Sequence, residues 1–247
     1  MIAISQGAGL AVAGLVIAAT SASTPSATQL AWAASAGLVG LVGIASFYRA
    51  LAVGTMGVIG PVTATASIVP VAYGLGRGER PSVAQGVGIA LAVVGVIAAS
   101  VEREHAEAPR RLGAGVGLAL LAAASFGWSL VALSRAVPGG VAWSVFTMRA
   151  AVVPIVLVVA LSTAGRVARS RRAWLLLVGV GAADTGATIL YGAATTRGLL
   201  SIVAVLASLY PIVIVVLARV LLSERIARPQ LVGVVVALTG VALVSAG

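Results

Sequence analysis

Two charged side chains lie inside long apolar stretches of this sequence, and they are the residues best placed to do chemistry. Asp184 lies ten residues into the stretch at 174–195, and Arg149 lies about seven residues into the stretch at 142–164. A charge at that depth in a membrane helix is costly and marks a functional candidate by default. Asp184 could couple to protons or recognise a substrate amine, and the planar guanidinium of Arg149 could bind a substrate carboxylate.

Both charges also have structural explanations, which the sequence leaves open. Asp184 is alternatively the partner of Arg149, or it lies near the membrane interface if its helix is shifted. Arg149 is alternatively extended to the lipid headgroups along its apolar stem. Thr185 and Thr188 follow Asp184 closely, and Tyr191 lies two helical turns further along the same face.

Aromatic side chains form a second group of candidates, because they make up only 4% of the sequence. Binding pockets mix aromatic surface with a few polar groups. The candidates for lining a central cavity are Tyr48, Tyr191, Trp128 and Tyr210, and the cavity is favoured for the first two. Belts at the membrane interface are the alternative, and they account better for Trp32 and Trp174, near the starts of apolar stretches.

Three prolines, Pro70, Pro154 and Pro211, lie within apolar stretches that otherwise suit helices. Each proline removes a backbone N–H group and frees a carbonyl group. Interrupted helices shape binding sites and gates in transporters, so these prolines are gating or kink candidates. A passive kink that is tolerated in packing is at least as good an explanation.

The elements that must position these residues are membrane-spanning helices. The sequence of 247 residues is 60% hydrophobic and 9% charged, and its mean hydropathy is +1.14. Stretches able to cross a hydrocarbon core of about 30 Å recur along it, and each should be helical because open backbone in lipid is excluded. We predict an all-α polytopic membrane protein with about nine transmembrane helices, at 3–20, 30–48, 53–76, 82–101, 113–134, 142–164, 174–195, 199–222 and 230–246.

The charge balance fits membrane topology better than nucleic-acid binding. The net charge of +10 comes from 16 basic residues, all of them Arg, mostly in short loops between apolar stretches. We therefore expect no nucleic-acid partner. The absence of Cys excludes disulfides, thiolate metal sites and cysteine catalysis. His105 stands alone in a charged loop, and we expect neither a metal nor another cofactor.

One pattern, Glu-x5-Gln-x2-Gly-x6-Gly, occurs twice, beginning at Glu79 and at Glu224. Five predicted spans separate the copies, an odd number, so the two turns face opposite sides of the membrane in an inverted-topology repeat. We divide the chain into a first repeat at 1–101, an inter-repeat loop at 102–112 and a second repeat at 113–247. The first repeat has four helices and the second has five. Either the chain begins inside a longer gene, or it has lost a first helix.

The two glutamates of the pattern lie at turns, and each is followed by an arginine, Arg80 or Arg225. A carboxylate near a helix N-terminus is favourable. We therefore expect Glu79 and Glu224 to cap the helix that follows each of them, with ion pairs of a gate as the alternative. The glycines of the first copy share one face, and small residues let membrane helices approach closely.

Several short motifs resemble those of the EamA-type family of the drug/metabolite transporter superfamily. Besides the duplicated pattern, they are Phe47-Tyr48-x-Ala50-Leu51, Leu190-Tyr191-x-Ala193, Ser208-Leu209-Tyr210-Pro211 and Phe126-Gly127-Trp128. The resemblance covers essentially the whole chain. It implies ten helices in two inverted five-helix repeats, of which this chain lacks the first, and it implies export or exchange of small metabolites.

These observations predict a secondary transporter, multi-pass in the cell (inner) membrane, that exports or exchanges an amino-acid-like or drug-like compound. We expect substrate to bind at mid-membrane between the repeats and an ion gradient to drive transport, with protons as the candidate coupling ion. The alternatives are a non-transporting scaffold or lipid-handling subunit and, less favoured, an intramembrane enzyme. One Asp and one Arg give an enzyme little to work with.

The orientation in the membrane is predicted in two conflicting ways. Counting Arg residues in the loops places 102–111 and 166–172 in the cytoplasm, together with the N-terminus. The resemblance implies the opposite, because both ends of a ten-helix member are cytoplasmic.

Overall fold

The computed structural model describes residues 2–20, 24–54, 56–99, 112–162, 170–209, 213 and 228–246, and these ranges are helical without a strand. The predicted loop Glu102–Arg111 lies outside these ranges, as do several residues named in the sequence analysis: Arg166, Arg169, Tyr210, Pro211, Glu224 and Arg225.

The helices are α1 Ile2–Thr20, α2 Ala27–Val53, α3 Met56–Ala64, α4 Ile68–Gly76, α5 Val83–Ala99, α6 Leu112–Ala136, α7 Val141–Ser162, α8 Arg171–Thr195, α9 Leu200–Ala207 and α10 Arg228–Ala246. Short 3₁₀ turns, Thr65–Ser67 and Val137–Gly139, lie between α3 and α4 and between α6 and α7.

Six helical segments of the described chain are long and apolar enough to cross a membrane. They are Ala3–Thr20, Ala27–Val53, Val58–Gly76, Gly115–Gly139, Val141–Ser162 and Arg171–Thr195. Two shorter apolar helices are Val83–Ala99 and Gln230–Val244. Over the described residues, an all-helical protein with several candidate membrane spans is therefore confirmed, whereas the count of nine spans and the inverted repeat stay predictions.

The described chain forms two compact units, each built from both halves of the sequence. The first unit contains Met1–Leu41 and Ser129–Arg197, and the second contains Val42–Trp128 and Gly198–Gly247. In the first unit, α1 packs against α7 and α8. In the second unit, α5 packs mainly against α10. The predicted division into two sequence repeats and a connecting loop stays a prediction.

The glycines of the duplicated pattern meet at the contact between α5 and α10. A Cβ atom at Gly88 would lie 2.6 Å from the carbonyl oxygen of Gly240, and one at Gly95 would lie 2.7 Å from the Cα of Ala237. Side chains at these positions would separate the two helices, because real Cβ atoms do not approach backbone so closely. The predicted packing role of these glycines is confirmed.

Gln85 of the pattern helps to begin α5. Its side-chain oxygen accepts a hydrogen bond from the backbone N–H of Ser82 at 2.9 Å, and its own N–H donates to the Ser82 hydroxyl at 3.2 Å. This reciprocal arrangement is a capping box, which satisfies donors that lack partners at the start of a helix.

Glu79 caps a helix other than the predicted one. Its carboxylate accepts hydrogen bonds from the N–H of Leu200 at 2.7 Å and from the N–H and hydroxyl of Ser201 at 3.1 and 2.6 Å. Those groups open α9, so the expectation that Glu79 caps the helix that follows it is wrong. Gly78, with a φ of +92°, ends the turn after α4 in a conformation that favours glycine.

A 3₁₀ turn precedes Pro70. Proline has no N–H group to bond the carbonyl of Ala66, and the chain forms the 3₁₀ turn Thr65–Ser67 there before α4 begins. The predicted span at 53–76 is therefore observed as one helical segment, Val58–Gly76, in which this turn separates α3 from α4. In the second half, α9 ends at Ala207 with a turn at 208–209.

We predict that Gly95→Ala destabilises the protein by about 2 kcal/mol, because the new methyl group overlaps the backbone of Ala237 and neither helix backbone can yield locally. The matched control is Gly86→Ala on the same helix, where a Cβ atom meets nothing within 4 Å. The control should be neutral or stabilising by up to about 1 kcal/mol. The measurement is the thermal midpoint in detergent, and equal midpoints for the two variants would contradict the packing account.

We predict that Glu79→Ala lowers stability by about 2 kcal/mol, because two backbone donors of α9 and the Ser201 hydroxyl lose their acceptor. Glu79→Gln keeps one acceptor oxygen and should lose roughly half as much. Thermal midpoints of the two variants check this order. A cap on α5 instead would make Ser82→Ala non-additive with Glu79→Ala and leave protection of the Leu200 amide from hydrogen exchange unchanged.

Candidate functional site

The first unit brings four polar side chains together from three helices. Arg149 of α7 donates from Nη2 to Asp184 Oδ2 of α8 at 2.5 Å and from Nη1 to Gln6 Oε1 of α1 at 2.5 Å. Nη2 also lies 3.4 Å from Thr188 Oγ1. The sequence alternative that Asp184 is the partner of Arg149 is therefore the observed arrangement. Pairing by itself leaves a functional role of the two residues open.

The two charges of the pair differ in accessibility. The side chain of Arg149 is 5% exposed, whereas that of Asp184 is 58% exposed. A buried guanidinium without a counter-charge would carry a large desolvation penalty. Asp184 supplies that charge and at the same time presents part of its carboxylate at the surface of the unit.

Close helix packing sets the position of the pair. A Cβ atom at Gly9 of α1 would overlap the Thr185 hydroxyl of α8, and one at Gly181 of α8 would lie 2.8 Å from the carbonyl carbon of Ser5. Both glycines allow α1 and α8 to approach. Because Gln6 lies one turn before Gly9, this approach brings its amide to Arg149.

Thr188 fixes the local geometry on α8. Its hydroxyl donates to the backbone carbonyl of Asp184 at 2.8 Å, a bond between residues four apart in the helix. Because the Thr188 hydroxyl uses its proton in this bond, the lone pairs of its oxygen are available to accept from Arg149. Thr188 therefore accepts from the guanidinium and is held on the same side of α8 as the Asp184 carboxylate.

The remaining edge of the guanidinium is closed by packing. Among the described residues, Arg149 Nε and Thr185 Oγ1 are buried without a hydrogen-bond partner. Nε lies 3.6 Å from the position that a Cβ atom on Gly9 would take. Leaving buried donors unpaired costs about 1–3 kcal/mol each. The other guanidinium nitrogens already bond Gln6, Asp184 and Thr188, so the site reaches its surroundings through Asp184.

Tyr191, on the same helix, is buried in the first unit. Its hydroxyl donates to the carbonyl of Leu130 at 3.3 Å, and the residue is 8% exposed. That bond ties α8 to α6. A cavity-lining role for Tyr191 stays a prediction.

Two other predicted aromatic residues lie in the second unit, outside the Arg149 cluster. Tyr48 is 56% exposed and its ring lies 5.9 Å from that of Phe47. Trp128 packs edge-to-face on Tyr73 at 6.4 Å. Their predicted contact with substrate stays a prediction.

The prolines behave differently from one another. Pro70 is buried and follows the 3₁₀ turn. α7 continues through Pro154, so the helix does not end there. Pro211 lies outside the described residues, and gating roles for the three stay predictions.

Gln6 is the member of the cluster that sequence reasoning missed. The signal available was a polar amide inside the first apolar stretch, in a chain with few Gln residues. Within the described ranges, no group of three His, Cys, Asp or Glu side chains could hold a metal ion. An open depression of about 440 Å³ in the first unit is lined by residues of 24–29 and 138–140, and it includes none of the cluster.

Comparison with solved structures identifies the fold. Twenty chains match, and one of them, titled only as the crystal structure of a protein, has a TM-score of 0.84 and 17% sequence identity. The alignment covers 99% of this chain and 87% of that one. At this identity the likeness concerns the fold alone. Among curated proteins, no match is found.

A comparison with protein-family models assigns the sequence to a family. The model of the EamA-like transporter family matches residues 113–246, which is more than half of the chain. The matched region contains Arg149, Asp184 and Thr188, and the resemblance inferred from the short motifs is confirmed. The chain belongs to the EamA-like transporter family.

Proposed function

We propose that this protein is a secondary transporter that exports or exchanges a small amino-acid-like or drug-like metabolite across the cell membrane. Transport would proceed by alternating access, with an ion gradient as the driving force and protons as the candidate ion. Membership of a transporter family supports the general class. The observation that carries the finer proposal is the Arg149–Asp184 pair on two helices long enough to span a membrane.

The cost of this pair supports a functional role. Burying an ion pair in place of apolar side chains is neutral or unfavourable for stability in many proteins. Charged residues inside membrane helices therefore mark substrate or ion pathways more often than they stabilise the fold. The exposure of Asp184 adds to this argument, because a purely structural partner would be expected to be enclosed with Arg149.

The direct test is solute flux into proteoliposomes that contain the purified full chain. Labelled amino acids and aromatic cations are offered with and without an imposed pH gradient. We expect saturable uptake of at least one compound, faster with the gradient and reduced when an ionophore collapses it. Protein-free liposomes are the control, and non-saturable leakage for every compound would favour a scaffold or lipid-handling role.

We predict that Asp184→Asn abolishes this flux while the protein still accumulates in the membrane, because the accessible charge of the site is lost. The single substitution leaves Arg149 buried without a counter-charge, which destabilises by roughly 3 kcal/mol. Stability and flux are therefore measured on the same preparations.

The double variant Arg149→Met/Asp184→Asn separates the two explanations. Removing both charges together restores stability, because no buried charge stays unpaired. Under the proposal its thermal midpoint recovers but its flux does not. Recovery of both would show that the pair serves only the fold.

A further inference from the structure

We infer that the site at Asp184 recognises the ammonium group of an amine, and that a carboxylate on the substrate is dispensable. This inference rests on the proposed transport function and names the class of compound that the site takes. It follows from which of the two charges a ligand can reach, and from the surface beside that charge.

Arg149 is not available to an incoming anion. Its Nη1 is bonded to Gln6, its Nη2 to Asp184 and Thr188, and its Nε is enclosed beside Gly9. A substrate carboxylate would first have to break the pair with Asp184 and displace that carboxylate from the guanidinium. An anion would also face the negative charge of Asp184 on the exposed side of the pair.

Asp184 is available to an incoming cation. Only Oδ2 is bonded to Arg149, and within the described part of the chain Oδ1 has no hydrogen-bond partner. The side chain is 58% exposed in the middle of α8. A carboxylate at that depth does not face hydrocarbon, because ionisable groups in membrane helices face the bundle interior or water. An ammonium group can therefore bind Oδ1 while the ion pair stays intact.

The surface of α8 beside Asp184 suits an amine with an apolar body. Val180 and Ala187 lie one turn before and one turn after Asp184 on the same side of the helix, and both are exposed. Ala187 is small enough to leave the carboxylate open. Val180, at 59% exposure, offers apolar surface for a hydrocarbon or aromatic group attached to the amine.

The test uses four probes that share one side chain and differ in charge. They are L-phenylalaninamide, a cation; L-phenylalanine, a zwitterion; N-acetyl-L-phenylalanine, an anion; and N-acetyl-L-phenylalaninamide, which is neutral. Binding to the purified full chain is measured by titration calorimetry. We expect the cation to bind at least tenfold more tightly than the anion or the neutral compound, and the zwitterion to bind no more tightly than the cation.

Variants assign that preference to Asp184. Asp184→Asn should weaken binding of L-phenylalaninamide at least tenfold, and Asp184→Glu should keep the preference for the cation. Equal or tighter binding of the N-acetyl anion overturns the inference, as does binding of none of the four probes. Flux of the labelled amino acids and aromatic cations is measured in a separate experiment. The transport proposal is therefore judged on that flux and not on these binding results.

Aqueous access to Asp184 is checked independently of any substrate. The sequence has no cysteine, so single cysteines can be introduced without altering the background. Ala187→Cys should react with a membrane-impermeant, charged methanethiosulfonate, and L-phenylalaninamide should slow that reaction several-fold. Val158→Cys on α7, a site with 65% exposure and apolar neighbours, is the matched control and should not react. Failure of Ala187→Cys to react overturns the inference.

Discussion

The ion pair between Arg149 and Asp184 is the interaction around which the polar cluster of the first unit is arranged. A guanidinium that is 5% exposed among apolar helices needs a counter-charge, and Asp184 lies 2.5 Å away to provide it. The same contact fixes α7 against α8, while Gln6 adds α1 through the other terminal nitrogen of the guanidinium. One residue thus links three helices. The pair is shielded on the arginine side and open on the aspartate side, so Asp184 is the charge of the pair that a ligand can reach.

Glycine makes this arrangement sterically possible. Gly9 and Gly181 let α1 lie against α8 closely enough for Gln6 to reach Arg149, and in the second unit the glycines of the duplicated pattern perform the same task for α5 and α10. Membrane helices gain little from hydrophobic association with each other, so close packing of small residues supplies much of their affinity. The two units therefore use one packing principle, and in the first it brings together the polar groups around Arg149.

The sequence identified candidates whose residue type is rare within apolar stretches. Asp184 and Arg149 stand out because a charge inside an apolar stretch is costly, and the 3₁₀ turn before Pro70 is consistent with a missing N–H group. The partners of these residues were not predictable. Glu79 caps α9 because that helix start comes near it in the folded chain, which no local pattern encodes. Gln6 was missed for the same reason, since a lone amide does not indicate what it bonds.

The account is tested most directly by the structure of the full chain in lipid nanodiscs with L-phenylalaninamide bound. It predicts that the ligand ammonium lies within about 3 Å of Asp184 Oδ1, with Arg149 still paired to Oδ2 and bonded to Gln6. A ligand bound elsewhere, or one whose contact is with Arg149 after Asp184 has moved away, would contradict it.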